Sequence, residues 1–101
     1  MSRVVSLGVH ILDVLGAPVA DGAGPGGRYL LEDVRITAAG TAAGTSVDLA
    51  KLGVEAVAVG AIGADEVGDL VLSRLSANGV DTAGIVRKSM GTLATILPIR
   101  T

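Results

Sequence analysis

The sequence predicts an α/β fold built on a parallel sheet. Two apolar runs of strand length, Val4 to Val9 and Ala56 to Gly60, carry that reading together with two amphipathic helix patterns beginning near Thr41 and Asp65. Strands alternating with helices of this length imply right-handed crossovers in a parallel sheet. With 101 residues, 50% of them hydrophobic, the chain holds enough apolar side chain for one small domain with its own core.

Val4 to Val9 is β-branched and nearly continuous in hydrophobicity, bounded by Arg3 and His10, as suits a strand buried on both faces. Residues 16–27 hold five of the fifteen glycines and two of the three prolines, so Gly22 to Gly27 reads as a series of turns. From Arg28 to Ala38, Leu31, Val34 and Ile36 alternate imperfectly with charged residues, which predicts partly exposed strands on an excursion from the main sheet. Thr41 is the expected N-cap of a helix through Ala42 to Leu52, with Ala43, Val47 and Ala50 on one face and Gly53 as a left-handed stop. Ala56 to Gly60 is the second buried strand. A second helix is expected from about Asp65 to Asn78, with Val67, Leu70, Val71 and Leu75 as its stripe and Asn78-Gly79 as its stop. Asp65 reads as the N-cap of that helix and Gly68 as a point of close packing. Val80 to Val86 opens another strand, and Thr92 to Ile99 is one more apolar run.

Composition narrows the functional classes. Tyr29 is the only aromatic residue, so aromatic cages and base-stacking platforms are excluded. The net charge is −2 and the eight Lys/Arg residues are scattered, which argues against a nucleic acid partner. Without cysteine, and with His10 as the single histidine, neither a disulfide framework nor a thiolate metal site is expected. The N-terminus has neither the length nor the cleavage pattern of a signal peptide, so the expectation is a soluble, cytoplasmic protein with no membrane partner.

Two nucleotide-binding patterns fail. Gly40 and Gly44 enclose three residues rather than four, and Thr45 stands where a phosphate-binding loop needs lysine. Gly22-Ala-Gly24 is followed by Pro25 in a loop that does not join a strand to a helix, unlike a dinucleotide fingerprint. What remains is a helix start at Gly40 to Gly44, where N–H groups lie open and two missing Cβ atoms let a polar ligand approach. Asp13 follows the first strand, where open α/β sheets place ligands, and its carboxylate can accept hydrogen bonds from two adjacent hydroxyls. Periodicity alone favours reading Asp13 as a turn or cap residue, and the glycines as packing devices. His10 reads as a strand-end residue near that pocket rather than an acid or base.

Three segments, Val5 to Asp13, Ala39 to Gly53 and Val59 to Gly68, resemble in order and spacing the N-terminal signature of ribokinase-like (PfkB-type) carbohydrate kinases. That signature is a Gly-Gly pair, an Asn a few residues on, a helix ending in Leu-Gly, and a later Gly-x-Asp-x-x-Gly. Gly63-Ala-Asp65-Glu-Val-Gly68 fits its last part without a change. The resemblance covers nearly the whole chain. It implies a ribokinase-like parallel sheet with flanking helices, incomplete here, and a small β-sheet lid formed by residues 16–38 and roughly 85–100 that often mediates dimerisation. It also implies that Asp13 holds hydroxyls of a sugar or nucleoside, that Gly40 and Thr41 line that sugar, and that Gly44 occupies a substrate-contacting position. Two positions depart from the pattern. Ala39 replaces the first Gly, and Gly44 replaces the common Asn, so the hydroxyl pattern recognised here differs from the family's usual one or is read through water.

The resemblance further implies ATP and Mg2+, with γ-phosphoryl transfer to a sugar hydroxyl. The family's anion hole and base lie in a late Gly-Ala-Gly-Asp-like motif, and none follows Asp65; Ala83-Gly84-Ile85 has no acid after it. The expectation is therefore the sugar-binding N-terminal part of such a kinase, truncated before its ATP site, with no catalytic residue in this chain. The alternative is a non-catalytic α/β interaction module that dimerises through its lid strands. A small Rossmann-type nucleotide binder is disfavoured by the missing fingerprint.

Overall fold

The computed structural model describes residues 2–17 and 30–98. The elements run β1 (Arg3–Leu7), β2 (Ile11–Ala17), β3 (Asp33–Ala39), α1 (Thr41–Lys51), β4 (Glu55–Gly63), α2 (Glu66–Ala77), β5 (Asp81–Lys88) and β6 (Ala94–Pro98). They form two sheets of three strands, ordered β1-β4-β5 and β3-β2-β6. The first sheet is wholly parallel. In the second, β2 pairs antiparallel with β3 and parallel with β6.

Strand order decides which face is covered. Because β1, β4 and β5 succeed one another in a single direction, right-handed crossovers put α1 and α2 on the same face of the first sheet. On that face Ala56, Ala58 and Ile62 of β4 are buried with Ala43 of α1 and with Val71 and Leu75 of α2. Leu12 joins the same core from β2, with Val14, Ile36 and Ala38 packed against it, so α2 is wedged between the two sheets. The small alanines of β4 let α1 lie close, and full burial of Ile62, Val71 and Leu75 contributes about 1.5–3 kcal/mol each.

The opposite face corrects one expectation. Val5 pairs with Val57 and Leu7 with Val59, and partners in a parallel register share a face. Val5 is 59% and Leu7 77% exposed, with Val86 of β5 also exposed. The continuous hydrophobicity of β1 and β4 suits burial on both faces, yet among the described residues only one face is covered.

Both helices match their expected positions to within a residue or two. Gly53 (φ 85°) and Gly79 (φ 81°) supply the left-handed stops. In the α2 stripe Leu70 is 38% exposed, while Leu72 packs against the core. The expected turns at Gly22 to Gly27 lie outside the described residues. The boundaries of the second sheet also differ. It begins at Ile11 rather than residue 16, because Ile11 to Leu15 alternates between a core face bearing Leu12 and Val14 and an outer face bearing Asp13. Residues 85–88 belong to the first sheet as the end of β5, since they pair with Gly60 to Gly63 of β4.

Candidate functional site

Asp13 lies inside β2, not in a loop after the first strand. It faces Thr37 across the antiparallel pair and Thr95 across the parallel one, so a polar row crosses all three strands of the second sheet. Asp13 is half-buried, and both threonines are exposed. The Thr95 hydroxyl donates to Asp13 Oδ1. Among the described residues, Asp13 Oδ2 has no hydrogen-bond partner, which leaves it open to accept from a ligand.

The start of α1 is built by the Gly8 to His10 link between the sheets. Gly40 is the N-cap, with φ 95°, and a Cβ there would stand 2.5 Å from the Val9 carbonyl oxygen. Only glycine fits both the dihedral and the contact. Thr41 is the first residue of the helix rather than its cap; its Oγ1 accepts from the Val9 N–H at 3.2 Å. The Val9 carbonyl in turn accepts from the N–H groups of Ala42 and Ala43 at 3.1 and 3.5 Å. The helix N-terminus expected to be open is thus capped by backbone, and the Thr41 hydroxyl is already engaged with the link.

Gly44 sits elsewhere. It borders a hollow of about 380 Å³ between α1, β3 and the end of α2, whose wall includes Thr37, Val47, Lys51 and Arg74 but not Asp13. A Cβ at Gly44 would meet nothing within 4 Å. The register sets Asp13 opposite Thr37, three residues before Gly40 along the chain, and Gly44 lines a separate hollow that shares only Thr37 with the Asp13 row. His10 is buried, with Nε2 donating to the Val59 carbonyl at 3.0 Å. Nδ1 is sealed from solvent without a partner among the described residues, as fits a packing residue beneath the site.

Asp65 caps α2, its Oδ1 accepting from the Gly68 N–H at 2.8 Å. It also takes the Thr92 hydroxyl on Oδ1 at 2.6 Å and the Thr92 N–H on Oδ2 at 2.9 Å. The Thr92 hydroxyl, then the backbone N–H groups of Thr92 and Gly68, with Arg87 nearby, hold the carboxyl down to about 2. Thr92 stands just before β6 and its Oγ1 accepts from the Gly63 N–H at 2.9 Å. Asp65 thereby fixes the connection that carries Thr95 to Asp13.

Thr37 and Thr95 were not legible as site residues, because only the strand register sets them beside Asp13. The one signal was a hydroxyl in each of two otherwise apolar stretches.

ATP and its Mg2+ do not fit the described residues. At α1 the Val9 carbonyl takes the N–H groups of Ala42 and Ala43, and at α2 the Asp65 carboxylate takes that of Gly68 while Glu66 and Asp69 add negative charge to the first turn, so both helix starts are poorly suited to a phosphate. No group of three or more His, Asp or Glu side chains is placed to hold a metal ion among the described residues. No helix there is long and apolar enough to cross a membrane.

Residues 1–97 match the family described as pfkB family carbohydrate kinase. The chain belongs to that family. Among solved structures it is similar to a provisionally named ribokinase from Agrobacterium tumefaciens, at 30% identity and a TM-score of 0.81, over 93% of this chain and 31% of that one. A fructokinase from Xylella fastidiosa shares 29% identity at a TM-score of 0.72, over 93% of this chain and 27% of that one, and has also been solved with bound ATP. A sugar kinase from Pyrococcus horikoshii, described as uncharacterized, shares 26% identity at a TM-score of 0.74, over 94% of this chain and 30% of that one. A search of curated proteins gave no match. The chain spans about a third of the length of the structures it matches. Its parallel sheet, two helices and small mixed sheet are those of the ribokinase-like fold.

Proposed function

We propose that this chain is the acceptor-binding part of an ATP-dependent carbohydrate kinase, with Asp13 holding hydroxyls of a sugar or nucleoside. One observation carries the reading: a half-buried carboxylate, oriented by Thr95, keeps Oδ2 open on the outer face of a sheet that is tied by two links to the C-terminal ends of parallel strands. Charge-assisted hydrogen bonds to such an oxygen are worth about 1.5–3 kcal/mol each. In this reading the second sheet is the lid, and Gly40 and Thr41 line the acceptor by holding the Gly8 to His10 link in place. Gly44 lines the neighbouring hollow. Phosphoryl transfer itself then requires a nucleotide site and a base that the described residues do not provide, and a cytoplasmic setting follows from the substrate class.

Among the described residues β3 and β6 have no further strand partner. Their unpaired edges support pairing of two copies through this sheet, the alternative role for the chain.

The test is calorimetric. Sugars titrated into the wild-type chain should bind, and Asp13→Ala should weaken that binding by at least about tenfold, the loss of one charged hydrogen bond. Unchanged sugar binding in Asp13→Ala would remove Asp13 from the site.

A further inference from the structure

We infer that Thr37 and Thr95 join Asp13 in recognising two neighbouring hydroxyls of the acceptor. The inference rests on the acceptor-site reading above and assigns its specificity.

The row is a product of register. Residues directly opposite on one face of a sheet have Cβ atoms about 4.5–5.5 Å apart, which places the Thr37 hydroxyl within reach of a ligand held by Asp13. Each member has a distinct task. Thr95 donates its proton to Asp13 Oδ1 and so fixes the carboxylate, a positioning role. Asp13 Oδ2 remains as a pure acceptor and selects a donor, such as a hydroxyl. Thr37 is an exposed rotor that both donates and accepts, and makes no side-chain hydrogen bond among the described residues. Two residues farther along the same face, Leu15 pairs with Leu97, which is 45% exposed. On its other side Leu15 pairs with the exposed Arg35, so the row beside the hydroxyls and carboxylate offers two leucines to the C–H groups of a sugar ring and one cation.

The same arrangement disfavours anionic groups at this point. A phosphate or carboxylate set directly against Asp13 Oδ2 would meet like charge. The group held at Asp13 Oδ2 is therefore a neutral donor, a hydroxyl.

Ligand-observed saturation-transfer NMR, which reads weak binding, tests this with the full 101-residue chain. The probes are D-ribose, 2-deoxy-D-ribose and ribose 5-phosphate. The wild-type chain should prefer ribose over the deoxy sugar, and Thr37→Val should reduce that preference about three- to tenfold while leaving deoxyribose binding unchanged. Thr95→Val should lower affinity for every sugar and shift the Asp13 carboxyl carbon resonance, and Thr95→Ser should restore both. Valine suits an exposed strand position, and an unchanged amide spectrum confirms the fold. If Asp13→Asn abolishes ribose binding but Thr37→Val keeps the full preference, the Thr37 assignment falls and the acceptor site stands. If the wild-type chain binds none of the probes, both fall.

Discussion

The Asp65 carboxylate accepts both the side-chain hydroxyl and the backbone N–H of Thr92, residues 27 positions apart, while also capping α2 at Gly68. One side chain thus ties a helix start to the strand connection that leads into β6. The Gly-x-Asp-x-x-Gly segment is in this chain a structural clamp.

That clamp has a pH signature. The folded-state carboxyl lies at about 2, below the ordinary value of 3.8, so its stabilisation is present above pH 4 and is lost as pH falls through about 2. Asp65→Asn should remove this dependence and destabilise the chain at neutral pH, since an amide cannot serve as acceptor at both of its positions. Urea midpoints measured at pH 2, 4 and 7 for both proteins should converge at the lowest pH. A constant gap across that range would mean that the clamp is not the source of the difference.

Gly68 gives a prediction against helix propensity. In an exposed helix interior, Gly→Ala gains about 1 kcal/mol. Here a Cβ would stand 2.3 Å from the Gly63 carbonyl oxygen, a backbone atom held in β4 that cannot move aside cheaply. Gly68→Ala should therefore destabilise by about 1–3 kcal/mol, as overpacking does. Thermal melts of the two proteins decide the sign, and a raised midpoint would show that β4 yields easily.

Much of this fold was legible in the sequence, and the losses have a common cause. Both helices follow from period, stops and the Asp65 cap, because those signals are local. Thr41 misled, since a hydroxyl at a helix start looks like a cap, whereas a carbonyl from Val9, distant in sequence, performs the capping. Asp13 was singled out from the residues, yet its setting inside β2 and its threonine neighbours depend on strand register. Register is a tertiary property that a single apolar stretch does not encode. Pairing of residues 85–88 with β4 was hidden for the same reason.

Gly44 tests the departure from the family pattern directly. Its would-be Cβ meets nothing within 4 Å, and α1 continues through it, so Gly44→Asn should be tolerated and slightly stabilising through helix propensity. In the wild-type hollow there is room for the amide. The expected outcome is an altered ranking of sugars and nucleosides in a thermal-shift panel, without loss of binding. An unchanged ranking would place Gly44 away from the ligand.

The last prediction concerns the chain alone: negligible ATP affinity, and self-association through the uncovered face of the first sheet. A triphosphate needs several aligned N–H donors and nearby cations, but the Val9 carbonyl takes two N–H groups of α1, the first turn of α2 carries Asp65, Glu66 and Asp69, and α1 has no Lys or Arg until Lys51 at its far end. Meanwhile Val5, Leu7 and Val86 are each more than half exposed beside Val57 and Val59, and contiguous apolar surface of this kind promotes association. Leu7→Lys should therefore favour the monomer without loosening the core, because Leu7 is 77% exposed on an outer strand. Sedimentation velocity should show the wild-type chain above monomer mass and Leu7→Lys closer to it. Equilibrium dialysis with labelled ATP should show no saturable binding in either protein. Micromolar ATP binding by a compact monomer would mean that a nucleotide site exists in this chain where the geometry of α1 and α2 leaves none.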